Sequence, residues 1–331
     1  MGVLRPPSHG ADTATVPNTI DKEKDHIMGI NRIDHAAVRV GDLGKALAWY
    51  EDVLGLTVLS RDADTVHLAC RGKAADITLV KGTQSLENFT FGVDDQEDLD
   101  RVESILKKEG VAAERLNGDS RPGEGATLKF HLPSGHELRL CTGGAERRAG
   151  VSDFDAKGSH IPTDMDHINL LGEVDPAVMR DFLMMIGFKS SLNISVGGQL
   201  AGIWLRGSAY DHDIAYMRAV RPSDRLHHVA FAVEDGNHYF RLSDRLMETG
   251  HRWEFGPGRH NAGLGKSTGF GTNNYAYAFD PFGNRNEFSS GMEQFADDAT
   301  PLDVDIAPEQ LTDVMNGWGY EMAETFMTVG S

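Results

Sequence analysis

Three residues far apart in the chain, His167, His228 and Glu287, each fall in a short apolar run that reads as a strand or its end. The runs are Met165-Asp166-His167-Ile168-Asn169-Leu170-Leu171, Leu226-His227-His228-Val229-Ala230-Phe231, and Asp280-Pro281-Phe282-Gly283-Asn284-Arg285-Asn286-Glu287-Phe288. Two imidazoles and a carboxylate can hold a divalent cation from one side and leave the other side open, the arrangement that suits a non-haem Fe(II) oxygenase. A single histidine at the head of a strand is more often a satisfied buried polar group than a ligand. The three taken together point to a metal site. His227, adjacent to His228, belongs by strand alternation to the opposite face and is not counted as a ligand.

Bringing these residues together requires strands, and the chain supplies them as a repeat. Ile33 to Val40 reads as a strand, Asp42 to Leu54 has helical apolar spacing and closes at Gly55, and strands follow at Leu56 to Leu59, Thr65 to Ala69 and Ala75 to Val80. The same βαβββ plan recurs with strand Phe89 to Val93, helix Glu97 to Glu109, and strands near Val111 to Arg115, Ala126 to His131 and Glu137 to Cys141. A third copy runs from His167 through helix Asp175 to Ile186 and on to Val220, and the fourth spans Leu226 to Phe288. Four such modules predict an α+β fold of two half-barrel domains, each made of two modules. The boundaries expected are a flexible extension at 1–28, a first domain at 29–145, a second at 160–291 and an acidic tail at 292–331, with the linker near Gly143 to Thr163.

Laid on one another, the copies differ where it matters. Leu86-Glu87-Asn88-Phe89-Thr90-Phe91-Gly92-Val93 aligns with Leu226 to Val233, placing Asn88 opposite His228. Pro133-Ser134-Gly135-His136-Glu137-Leu138-Arg139 aligns with Pro281 to Glu287, placing Arg139 opposite the carboxylate. Of a trio, the first half keeps only His35, and one histidine beside an arginine cannot hold a cation. The first domain is therefore expected to be metal-free and the second to be the working one.

Composition narrows the partners. With 331 residues, 40% hydrophobic and 25% charged, the chain can build real cores, and 32 basic against 50 acidic residues give a formal charge of −18. Such a charge repels nucleic acid and anionic membranes, so a small ligand is expected. Cys70 and Cys141 are too few for a disulfide framework, no apolar run approaches a membrane span, and the N-terminus lacks a signal-peptide layout. A soluble cytoplasmic protein is the expectation.

At these residues the chain resembles the vicinal-oxygen-chelate superfamily, and within it the type I extradiol dioxygenases that open catechols. The resemblance covers about Ile30 to Gly291 and is strongest at Tyr277 to Glu287, which is similar to the family's Tyr-x-x-Asp-Pro-x-Gly-x-x-x-Glu signature. It implies Fe(II), with Mn(II) as the other candidate, at His167, His228 and Glu287, a small aromatic diol and O2 as substrates, and a homo-oligomer. It further implies that His212, 16 positions before His228, is the acid–base residue, taking a diol proton and returning one for O–O cleavage. The family's Gly-Pro-Gly-Arg-His element is intact at Gly256 to His260, and Asn274 and Tyr277 complete the implied substrate contacts. The spacing from that histidine to the tyrosine departs from the family's nine, because Tyr277 lies 17 positions after His260 and Thr268 holds the position nine before it. An insertion of about eight residues thus falls within Asn261 to Asn274.

Two other readings use the same fold. A glyoxalase-type isomerase would need a fourth ligand, a carboxylate ending the strand His212 to Val220, which has no glutamate. A metal-free binding protein of the antibiotic-resistance type uses two modules per chain and needs no such trio. With Arg139 in the carboxylate's place, Asn88→Ala and His35→Ala are expected to leave the metal content of the folded protein within a few-fold of wild type. Elemental analysis checks this, and a second metal lost on removing His35 would contradict it.

Overall fold

The computed structural model describes residues 29–118, 120–143, 160–261, 273–319 and 321–331. The expected N-terminal extension, most of the linker and nearly all of the insertion lie outside them.

Each module opens with a strand and a helix. In the first, β1 (Ile30–Val40) leads to α1 (Leu43–Leu47), capped by the Asp42 carboxylate on Lys45 N–H at 2.9 Å, and then to β2 (Thr57–Arg61), β3 (Thr65–Ala69) and β4 (Ile77–Lys81). The helix expected to run unbroken to Leu54 widens into a π-helical segment at Ala48–Val53, a form that concentrates at functional sites. Its consecutive residues Trp49 and Tyr50 are both buried, and both reach across to the second half.

In the second module, β5 (Ser85–Val93) precedes α2 (Gln96–Lys108), β6 (Ala113–Leu116), β7 (Thr127–His131) and β8 (Glu137–Cys141). Asp95 caps α2, Lys107 and Lys108 complement its C-terminus, and Leu99, Val102 and Leu106 form its buried stripe. The third module comprises β9 (Asp164–Gly172), α3 (Pro176–Met185), β10 (Lys189–Val196), β11 (Gln199–Arg206) and β12 (Ile214–Arg218). The fourth comprises β13 (Leu226–Ala232), α4 (Gly236–Glu248), β14 (Phe255–Arg259), β15 (Asn274–Phe279) and β16 (Arg285–Ser290).

The strands form two sheets, in order β2-β3-β4-β1-β5-β8-β7-β6 and β14-β15-β16-β13-β9-β12-β11-β10, the latter extended by a strand from the tail. Within each sheet the two modules meet through their first strands, β1 with β5 and β9 with β13, both antiparallel. This is the α+β, two-half architecture that the repeats predict.

One apolar core runs through both halves, with Phe91 meeting Phe188 edge-on at 4.9 Å. Polar links reinforce it: Trp49 Nε1 donates to Asn286 Oδ1 at 2.7 Å and Tyr50 O–H to Asp280 Oδ2 at 3.2 Å. The first half thus grips the β15–β16 hairpin, on which part of the site is built.

The acidic tail folds onto its own chain. β17 (Leu302–Ile306) adds in parallel to β10, α5 (Leu311–Met315) follows, and α6 (Glu324–Thr328) buries Phe326 beside Tyr277. Of the other tail aromatics, Trp318 is exposed and Tyr320 lies outside the described residues. The anchor is Arg285, whose guanidinium forms a buried pair with Glu254 and donates to the carbonyls of Thr325 and Val329 at 3.0 and 2.9 Å.

Removing one partner of a buried ion pair leaves the other charge uncompensated, at a cost of about 3–5 kcal/mol. Arg285→Met is therefore expected to lower unfolding stability by about that amount and to expose α6 to protease. Denaturant midpoints and the tail's cleavage rate measure the two effects.

Candidate metal centre

β9 and β13 lie side by side, with His228 paired to Asn169 and Val229 to Ile168, while β16 flanks β13 in parallel with Glu287 beside Ala230. Three neighbouring strands thus carry the three residues to one place. His167 Nε2 lies 3.1 Å from His228 Nε2 and 3.1 Å from Glu287 Oε2, and His228 Nε2 lies 3.0 Å from the same oxygen. All three side chains are buried. Among the described residues this is the one cluster of histidine, cysteine and carboxylate groups able to hold a metal ion.

The hairpin motif explains its own residue types. Asp280 Oδ1 accepts from the backbone N–H of Phe282 and Asn284 at 2.8 and 2.9 Å, and Gly283, at φ 90°, supplies the left-handed conformation that closes the turn. The turn fixes the register, so that Tyr277 of β15 lies directly opposite Glu287 of β16. The aspartate and glycine of the motif shape the backbone, and the tyrosine and glutamate face the site.

Hydrogen bonds on the far side of each ring decide which nitrogen is free. The Asp166 carboxylate accepts from His167 Nδ1 at 2.9 Å, leaving Nε2 to face the site. For His228 the determinant is two rings away. The carbonyl of Phe326 takes the proton of His227 Nε2 at 2.8 Å. Burial and the Arg285 charge hold His227 well below the usual histidine range, so it is neutral and its Nδ1 is an acceptor. His228 Nδ1, 2.7 Å away, must then donate to it, which turns a bare Nε2 lone pair toward Glu287. Two acceptors with no proton between them, 3.0 Å apart, fit a cation, and these outer partners are the kind that orient metal-binding histidines. His227 is not isolated on an opposite face as strand alternation suggested: a register shift in β13 between Leu226 and His228 breaks the alternation.

Charge follows the same logic. Burial lowers His167, but the Glu287 carboxylate, with Asp166, outweighs it and lifts the group to about 10. Burial takes His228 down to about 4 against the opposing pull of Glu287. Burial would raise Glu287, yet the two imidazoles hold it well below the usual carboxylate range. Without a cation, one proton on His167 therefore takes its place.

Of the remaining expected residues, His212, His260 and Tyr277 line one cavity together with the trio. His212 packs edge-on to His167 with ring centres 4.3 Å apart, and its Nδ1 donates to Asp211 at 2.7 Å, which frees Nε2. It sits in the turn before β12, pinned by Asp213, whose Oδ2 accepts from Gly207 and Ser208 N–H at 2.9 and 2.8 Å. Tyr277 O–H donates to His260 Nε2 at 2.9 Å, since His260 Nδ1 gives its proton to the Met315 carbonyl at 2.8 Å. Burial brings His260 down to about 4 and, with the Glu287 charge, pushes Tyr277 well up, so both are neutral.

The insertion does not displace His260. Its N–H donates to the Asn273 carbonyl at 3.1 Å, and Arg259 pairs with Asn274. The described residues on either side of the insertion are therefore held together.

Asn274 is not among the residues lining the cavity. Asn273, its neighbour, does line it, donating to Glu287 Oε1 at 3.1 Å. Two partners that sequence did not single out, Asp211 and Phe326, act through a carboxylate and a backbone carbonyl. The first was visible beside His212; a tertiary carbonyl contact leaves no signal in sequence.

A model of the Glyoxalase/Bleomycin resistance protein/Dioxygenase superfamily matches residues 32–140 and 164–288, and the chain belongs to that superfamily. Within it, the chain is 28% identical over 287 residues to a metapyrocatechase from Pseudomonas sp. (strain CF600), covering 83% of this chain and 90% of the relative. It is 27% identical to a manganese-dependent 2,3-dihydroxybiphenyl 1,2-dioxygenase from Geobacillus genomosp. 3, again covering 83% and 90%. The solved homoprotocatechuate 2,3-dioxygenase of Arthrobacter globiformis superposes with a TM-score of 0.78 at 25% identity, over 92% of each chain. These relatives and structural neighbours are extradiol ring-cleaving dioxygenases.

A cation entering the trio must displace the proton that Glu287 holds on His167. Metal uptake at neutral pH is therefore expected to release one proton per chain, and apparent affinity to rise with pH until it levels near 10. The same raised value means that, in metal-free protein, the stability from this pair is complete below about 6.5 and is lost as pH rises through about 10. Calorimetry in buffers of different ionisation enthalpy counts the proton, and Glu287→Gln should abolish metal retention in elemental analysis of folded protein.

Proposed function

We propose that this chain is an extradiol dioxygenase that inserts both atoms of O2 into a catechol-type ring, giving a ring-opened semialdehyde or related muconate product. The observation that carries this is the convergence of His167 Nε2, His228 Nε2 and Glu287 Oε2 in a cavity also lined by His212, His260 and Tyr277. Iron(II) is the proposed ion, and manganese(II) suits the same nitrogen and oxygen donors. When bound, the ion would ease loss of a diol proton and bring diol and dioxygen together on its open side.

The side chains account for the proton transfers. His212 has its Nδ1–H committed to Asp211, so Nε2 can accept the second diol proton, and the Asp211 carboxylate stabilises the resulting imidazolium. From there the same proton can be returned for O–O cleavage. Tyr277 keeps its proton and His260 stays neutral, so the phenol can turn its O–H from His260 Nε2 to a ring oxygen as charge develops there. Leu192, Ile194, Val314 and Phe326 form apolar walls that exclude water.

An isomerase of the glyoxalase type would take a further carboxylate from β12, but Ile214–Arg218 has none. Anaerobic loading with Fe(II) or Mn(II), followed by a panel of catechols and air, tests the reading: a yellow product with one O2 consumed per diol supports it. A metal-loaded protein that consumes no O2 with any catechol overturns it. His212→Phe is expected to keep metal and diol binding while ring opening slows roughly 10²–10⁴-fold. Single-turnover kinetics from the anaerobic diol complex separate the two, and an unchanged rate would remove His212 from the chemistry.

A further inference from the structure

A second cavity adjoins the first, and Ile194, Trp204, Met217, His227, Met315 and Met327 line both. A substituent on a ring held in the first can therefore extend into the second. The added chamber is walled by β10, β11 and the tail, with Leu171, Val196, Ala201, Leu311 and Val329 contributing apolar surface.

Its ionisable residues offer nothing to an anion. Arg218 is exposed and pairs with Asp175 at 3.4 Å, and Asp224 is a carboxylate already held by Arg221 at 3.0 Å. Both ring nitrogens of His227 are engaged, one with His228 and one with the Phe326 carbonyl. Among the described residues lining the chamber no other cation is present, and a carboxylate placed there would be desolvated without a partner. The chain's formal charge of −18 further disfavours anionic ligands.

On the reading of the first cavity as a ring-cleaving site, we propose that the substrates are diols carrying a bulky apolar substituent, alkyl or aryl, which this chamber houses. Diols carrying a carboxylate in that position are selected against. The apolar wall supplies the affinity, and the absence of a paired cation supplies the discrimination.

The test uses metal-loaded full-length protein with catechol, 3- and 4-phenylcatechol, and 3- and 4-carboxymethylcatechol. It reads kcat/KM by O2 uptake and, under argon, equilibrium binding. At least one phenyl isomer is expected to exceed catechol by roughly 10- to 100-fold in both readouts, with both carboxymethyl isomers below catechol. Ala201→Trp and Val196→Phe, which fill the chamber from two strands, should each cut the phenyl-to-catechol ratio at least tenfold, so either folded variant suffices. A ratio near one, a preference for carboxymethyl, or a ratio unmoved in the filled variants would overturn the proposal. Failure of all diols to consume O2 would instead count against the ring-cleaving reading, while the binding series would still decide what the chamber accepts.

Discussion

Three lone-pair-bearing atoms, His167 Nε2, His228 Nε2 and Glu287 Oε2, are held about 3 Å apart in a buried pocket. Such an arrangement repels itself unless a cation or a proton lies among them, and much of the second half serves to keep it from relaxing. Asp166 and His227 occupy the outer nitrogens, and Asn273 occupies the second carboxylate oxygen. Neither ring can turn away without abandoning a buried hydrogen bond, a loss of about 1–3 kcal/mol for the group left unsatisfied.

The first half contributes by holding that frame. Its π-helical segment sends Trp49 to Asn286 and Tyr50 to Asp280, the residues before the ligand and at the turn of the same hairpin. His35, the lone survivor of a trio in that half, has its Nε2 against the Thr78 hydroxyl at 2.7 Å and is an ordinary core histidine. The Arg139 guanidinium, opposite the position of Glu287, pairs with Glu137. The repeated module has thus become a support on one side and a site on the other.

The tail completes the site from outside the repeat. α6 gives the carbonyl that sets the tautomer of His227, α5 gives the carbonyl that sets that of His260, and both helices contribute apolar wall. Arg285 fastens α6 by its carbonyls, so a residue two positions from Glu287 links the end of the chain to the hairpin bearing the ligand. The tautomers of two histidines that line the cavity are therefore set by the tail.

Local chemistry made much of this legible in sequence. The period of the apolar residues, the caps and the glycines after the helices marked four modules, because those signals act within a few residues. The Asp-Pro-x-Gly turn fixed the spacing between Tyr277 and Glu287, and the aligned copies showed which half had lost its ligands. Alternation and spacing failed where long-range contacts overrode them. A register shift in β13 brought His227 to the site, and the Asn273 carbonyl accepts from His260 N–H despite the changed spacing. Asn273, beside Asn274, lines the cavity. The tail's position, the second chamber and the Phe326 carbonyl were decided by tertiary structure alone, because a backbone acceptor or an apolar wall takes its role from what packs against it, and almost any residue type can supply it.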